Sequence, residues 1–128
     1  MKHYRYQEAD DCFDMAYEWL TRGGFEKAEE LLKRAIELNP NFTYAYIALS
    51  EAIARQNRFG DAVKVIKRAT GVDPEFDRLY FIMAKYSFKR GDFIAALKSI
   101  RKASEMNPSR LHLLAQRVIE KHASGVSS

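Results

Sequence analysis

The chain has 128 residues, 47% hydrophobic and 12% aromatic, which is enough apolar material for one domain with a core and too much for a disordered chain. A single cysteine, Cys12, excludes an internal disulfide framework and a cysteine zinc site, so no oxidising compartment is needed and a cytoplasmic location is expected. No signal-peptide pattern opens the chain, and its longest charge-free stretch, residues 38–50, is far short of the roughly 20 apolar residues that span a bilayer.

Residues 1–8 have little to pack against and are expected to form a tail, unless the N-terminal tyrosines fold back. A helix is predicted near 8–22, with Asp10, Asp11, Asp14 and Glu18 on one arc and Cys12, Met15, Ala16 and Trp19 on the other. The acidic arc reads as a solvated end of the domain. Arg22-Gly23-Gly24 ends this helix, and in the following "FEKAEELLKRAIEL" the residues Phe25, Ala28, Leu32, Ala35 and Leu38 step by three or four, placing them on one face of a helix over 25–38. The turn chemistry of Asn39-Pro40-Asn41 follows. Further helices are predicted near 42–56, 59–70, 76–90 and 93–106, broken by Gln56-Asn57-Arg58, Pro74 and Arg90-Gly91-Asp92, where Gly or Asn can adopt left-handed dihedrals. After Pro108 a last helix near 109–122 takes Ser109 as its N-cap. Its apolar face is read as Leu111, Leu114, Ala115 and Val118, with Arg110, Arg117 and Lys121 pointing elsewhere; it is expected to close the fold as a natural end. Residues 123–128 read as a C-terminal tail.

The elements repeat. Pro40, Pro74 and Pro108 recur at one constant interval, and the same interval separates Ala28, Ala62 and Ala96; Leu32, Ile66 and Ile100; Ala35, Ala69 and Ala103; and Phe25, Phe59 and Phe93. These residues resemble the tetratricopeptide repeat, whose aromatic slot here holds Cys12, Tyr46 and Tyr80, whose Leu slot holds Met15, Leu49 and Met83, and whose small slot holds Ala16, Ser50 and Ala84. The Tyr slot, with Trp19, Ile53 and Ser87, departs most from the pattern. The resemblance implies an all-α, right-handed superhelical solenoid. It would comprise three helix-turn-helix repeats, 9–42, 43–76 and 77–110, and a capping helix, 109–122, in a single domain spanning 9–122.

The resemblance further implies a non-enzymatic interaction module whose concave side, lined by the first helix of each repeat, binds a protein or peptide. The candidate groove residues are Phe13, Tyr17, Tyr44, Ile47, Arg55, Arg78, Phe81, Lys85, Phe88 and Lys89. The family's two-carboxylate clamp for the acidic tails of heat-shock chaperones needs Lys, Asn or Arg where this chain has Phe13, Tyr17, Ala48, Arg78 and Ile82, and only Arg78 keeps the charge. A more apolar ligand is therefore expected, an amphipathic or extended segment with acidic residues lying toward the third repeat. Adaptor, scaffold and chaperone-like roles all fit this reading.

Charge is uneven. Residues 1–42 carry six Lys/Arg against nine Asp/Glu, and residues 77–128 carry ten against four. Two alternatives follow: self-association through the acidic and basic ends, and weak nucleic-acid binding by the basic third. The second is the less economical, because Lys85, Lys98, Arg110 and their neighbours spread over several helix faces without a nucleic-acid motif. No catalytic centre, metal or cofactor is expected. His112 and His122 read as surface residues without a carboxylate at ligand spacing, Asp10, Asp14 and Glu18 as a solvated stripe, and Cys12 as an inert core substitute for an aromatic.

Overall fold

In the computed structural model, which describes residues 2–125, seven helices follow one another: α1 (Lys2–Thr21), α2 (Phe25–Leu38), α3 (Thr43–Ala54), α4 (Phe59–Val72), α5 (Asp77–Arg90), α6 (Phe93–Met106) and α7 (Arg110–Ala123). Each packs chiefly on its chain neighbours, so that α1/α2, α3/α4 and α5/α6 form hairpins stacked in sequence and α7 lies against α6. Among the described residues there is no strand, and no helix is long and apolar enough to cross a membrane.

The turns within the hairpins follow from backbone freedom. Gly23, Asn57 and Gly91, the Gly or Asn of each predicted break, sit at φ of 82°, 62° and 90°, the left-handed region that a β-branched residue avoids. Gly24 answers a different need: a Cβ there would lie 2.5 Å from the Trp19 ring, which packs directly over its backbone. The turns between hairpins are fastened by side chains. The Tyr46 hydroxyl donates to the Pro40 carbonyl at 2.8 Å, and Tyr80, its counterpart in the next repeat, reaches Pro74 at 3.5 Å. Thr43 Oγ1 donates to Asp73 Oδ2 at 3.5 Å, and at the equivalent pair the polarity is exchanged, Asn107 Nδ2 donating to Asp77 Oδ2 at 3.2 Å.

The periodic residues are the core. Ala28, Leu32 and Ala35, with their counterparts Ala62, Ile66 and Ala69 and then Ala96, Ile100 and Ala103, are fully buried. Burying each Leu or Ile is worth about 1.5–3 kcal/mol, and the alanines let helices approach closely around them. One cluster runs from Ala9 to Tyr86, while a smaller one gathers Ala84, Ala96, Ile100, Ala103 and Ile119 around the third hairpin and α7.

Both ends differ from the sequence expectation. The N-terminal tail is instead the first two turns of α1, because polar groups hold it down: the Arg5 guanidinium donates to the Glu37 carbonyl at 3.2 Å and Glu8 pairs with Arg34 at 3.3 Å. Asp10, Asp11, Asp14 and Glu18 are exposed as read, yet Met15 and Trp19, assigned to the packed arc, remain 54% and 38% exposed. In α7 the Ser109 cap forms, accepting from the His112 N–H at 3.1 Å. The packed face, however, is His112, Ala115 and Ile119, and Leu111, Leu114 and Val118 turn outward, 59%, 49% and 51% exposed. Helical structure continues to Ala123, inside the expected C-terminal tail, and Ser124 caps it; residues 126–128 of that tail lie outside the described residues.

A buried carboxylate, absent from the sequence reading, joins the first two hairpins. Glu29 of α2 is only 8% exposed and receives Gln56 Nε2 at 2.9 Å, Arg58 Nη1 at 2.8 Å and Lys33 Nζ at 3.0 Å. Burial alone would raise its pKa, but the hydrogen bonds from Gln56, Arg58 and Lys33 outweigh that and lower it from 4.5 to about 2. A carboxyl with a depressed folded-state pKa contributes stability that is fully present above pH about 4.5 and is lost as pH falls through about 2. Glu29→Ala is expected to cost about 2 kcal/mol at neutral pH and to flatten the loss of stability between pH about 4.5 and 2, measured by urea titrations across that range.

Candidate peptide-binding groove

Rings link each odd-numbered helix to the start of the next. Phe13 of α1 lies 5.0 Å from Phe42 before α3, Tyr44 of α3 meets Phe76 before α5 edge-on at 6.1 Å, and Phe81 of α5 stacks on His112 of α7 at 5.3 Å. These contacts bury the rings to different degrees. Phe13 and Phe81 are half-buried by their ring partners, whereas Tyr17 and Tyr44 keep more than half of their surface exposed. Ile47 is half-buried.

The charged candidates differ little in setting: Arg55, Lys85 and Lys89 are exposed and Arg78 stands with them at the surface of α5. Two already hold intramolecular contacts, the Arg55 guanidinium 5.0 Å above the Phe25 ring and the Lys85 ammonium 5.4 Å from the Tyr86 ring. Burial, the dominant influence, pushes the Tyr86 phenol up, so at neutral pH it stays protonated beside Glu51 and Arg55.

Four of the ten candidates converge. Phe81, Lys85, Phe88 and Lys89 line a cleft of about 790 Å³ between α5 and α7, with Ile100 of α6 and Ala115 and Ile119 of α7 contributing apolar wall. Phe13, Tyr17, Tyr44, Ile47, Arg55 and Arg78 lie outside it. At the clamp positions Ala48 and Ile82 are buried.

One histidine of α7 was misread from sequence as a surface residue. His112 is buried: its Nδ1 is 2.8 Å from the Asn107 carbonyl and its Nε2 is 3.5 Å from Asp77 Oδ2, a carboxylate brought from another helix. His122 is exposed as expected, but its ring packs on Phe88 and Phe93 at 4.9 and 5.3 Å and lines the cleft, with Nδ1 2.9 Å from the Val118 carbonyl. Spacing along one helix cannot reveal partners on α5. The available signal was periodicity: His112 stands one repeat after Arg78, at a groove position of the next helix.

A stack of helix hairpins with an exposed aromatic and basic cleft defines a helical-repeat interaction domain. A family profile described as tetratricopeptide repeat matches residues 20–86, and a second of the same description matches residues 77–110. The chain belongs to the tetratricopeptide-repeat family, and its helices form an all-α solenoid of such repeats. That family is in general one of non-enzymatic protein-interaction modules.

Solved structures share the fold at low identity. The first tetratricopeptide domain of Spaghetti (RPAP3), bound to the HSP90 peptide SRMEEVD, superposes with a TM-score of 0.83 at 15% identity, covering 96% of each chain. The Yersinia enterocolitica type III secretion chaperone SycD, in complex with a peptide of the translocator YopD, gives 0.79 at 13% identity over 87% of this chain and 91% of its own. The Sgt2 tetratricopeptide domain from Aspergillus fumigatus gives 0.83 at 17% identity over 93% and 81%. No curated protein matches the sequence.

Because buried His112 ties α7 to Phe81 of α5 and to the Asn107 carbonyl, His112→Ala is expected to lower stability by about 1–2 kcal/mol. Chemical denaturation of the variant and the wild type, followed by far-ultraviolet circular dichroism, checks this.

Proposed function

We propose that the chain is a non-enzymatic adaptor or chaperone-like module that binds an amphipathic or extended protein segment in its concave groove. Its ligand is apolar on one side and carries acidic residues toward the third repeat. The observation that carries this reading is the cleft between α5 and α7, where Phe81 and Phe88 supply apolar surface and Lys85 and Lys89 stand at its edge as exposed cations. Tyr44 of α3 lies outside that cleft but is more than half exposed and offers a second aromatic anchor.

Two or three aromatic anchors, each worth about 1.5–3 kcal/mol on burial, supply useful affinity after ordering costs are met, while the lysines select charge and steer approach. Similar domains bound to an HSP90 peptide and to a translocator peptide support peptide capture by this fold. The carboxylate clamp does not carry over with them: Phe13, Ala48 and Ile82 offer no charge-assisted bond, so the acidic residues of the ligand meet Lys85 and Lys89 from within an apolar segment. A cytoplasmic setting fits Cys12, whose thiol is pushed above its usual pKa chiefly by burial and next by the neighbouring Glu8, and is thereby kept unreactive.

The test is fluorescence anisotropy with a panel of labelled helical peptides: acidic amphipathic, basic amphipathic and a charged peptide without an apolar face. The acidic amphipathic peptide is expected to bind best. Tyr44→Ala with Phe81→Ala should weaken it at least about tenfold without loss of helical circular dichroism, and Lys85→Glu with Lys89→Glu should reverse the charge preference. Equal binding of all three peptides, or binding indifferent to these substitutions, overturns the reading.

A further inference from the structure

The exposed stripe of α7 is in register for one more helix. Leu114 and Val118 lie one repeat after Tyr80 and Ala84 and two repeats after Tyr46 and Ser50. In the earlier hairpins these positions are covered by the helix that follows: the Arg68 guanidinium of α4 lies 5.4 Å above the Tyr46 ring, and Ala84 is buried with Ala96 and Ile100 of α6. On α7 nothing among the described residues covers them. Arg110, Arg117 and Lys121 share the same third of the helix circumference, at one edge of the stripe, and none has a carboxylate partner among the described residues.

The opposite end carries the complement. On α1, Met15 and Trp19 are exposed beside Asp11, Asp14 and Glu18, whose carboxylates likewise take no partner among the described residues. In both helices the charged edge lies on the same side of the apolar strip when viewed from the N-terminus. Antiparallel packing sets like edges of two helices opposite one another, so acid meets base while Met15 and Trp19 meet Leu114 and Val118.

We propose that the outer face of α7 is a docking surface for α1 of a second copy of this chain, giving a heterologous, head-to-tail contact. Such a contact repeats without closing on itself, producing chains or rings whose length depends on concentration. It adjoins the groove, because Val118 also lines the cleft that holds Lys85 and Lys89, while Leu114 lies outside that cleft. A single helix on a single helix is a small interface, so the association is weak and salt-sensitive.

Analytical ultracentrifugation of the whole protein tests this. The average mass should rise with concentration above the 14.8 kDa monomer and fall back in high salt. Leu114→Glu, which disables α7 only, and Asp14→Lys with Glu18→Lys, which disables α1 only, should each be monomeric, yet an equimolar mixture of the two should double in mass and grow no further, because one intact junction remains. Circular dichroism verifies folding, and Arg117→Ala with Lys121→Ala, which removes the basic edge without creating an acidic one, replaces Leu114→Glu should that variant unfold. A wild-type protein that stays monomeric at every concentration, association that survives either variant, or a mixture that remains monomeric overturns the proposal, the last two pointing to another mode of pairing.

Discussion

A short amphipathic hairpin of two helices cannot bury its apolar stripes by itself, and everything in this fold follows from relieving that shortage by stacking. Leu32, Ile66 and Ile100 are fully buried because each is covered both by its own hairpin and by a neighbour. The alanines flanking them matter as much as the large residues. They set how closely helices approach, and so make one repeat geometrically equivalent to the next. With contacts confined almost entirely to chain neighbours, the sequence period becomes a period in space.

Stacking also determines where the fold is incomplete. An internal hairpin has neighbours on both sides, whereas α1 and α7 each have one, so repeat positions buried in the middle come to the surface at the ends. Leu49 and Ile53 are buried in α3; their counterparts in α1, Met15 and Trp19, are exposed. The third hairpin differs for a further reason. At positions where the first two repeats have Trp19 and Ile53, and Leu31 and Val65, it has Ser87 and Ser99. Smaller side chains fill less space, and this hairpin belongs with a small second core beside the cleft that gathers Phe81, Phe88 and the lysines of α5.

Helices, turns and core were legible because each depends on local residues repeated in phase. Gly23, Asn57 and Gly91 announced their left-handed turns by residue type, and Ala28, Ala62 and Ala96 their burial by recurrence. The rotational phase of the last helix was not legible. Leu111, Leu114, Ala115 and Val118 form a convincing apolar face, but a helix between two neighbours has two packed faces, and hydrophobicity alone does not say which neighbour is present. Residues 2–8 were misread for the opposite reason: they lack an apolar pattern, and Arg5 and Glu8 hold them in place through groups on α2, far away along the chain. For the groove, sequence position distinguished Phe13 from Tyr17 less well than the ring contacts do, since Phe42 and His112, which cover Phe13 and Phe81, arrive from other parts of the chain.

Glu29 has a consequence for motion. Its three polar neighbours come from its own helix and from the turn between α3 and α4, so the first hairpin cannot separate from the second without stranding a desolvated carboxylate. One repeat later the corresponding positions hold Val63, Arg90 and Asp92, and no carboxylate-centred cluster forms across that junction among the described residues. The first junction is therefore riveted by a buried polar cluster, whereas the second is held by side-chain packing between α4 and α5.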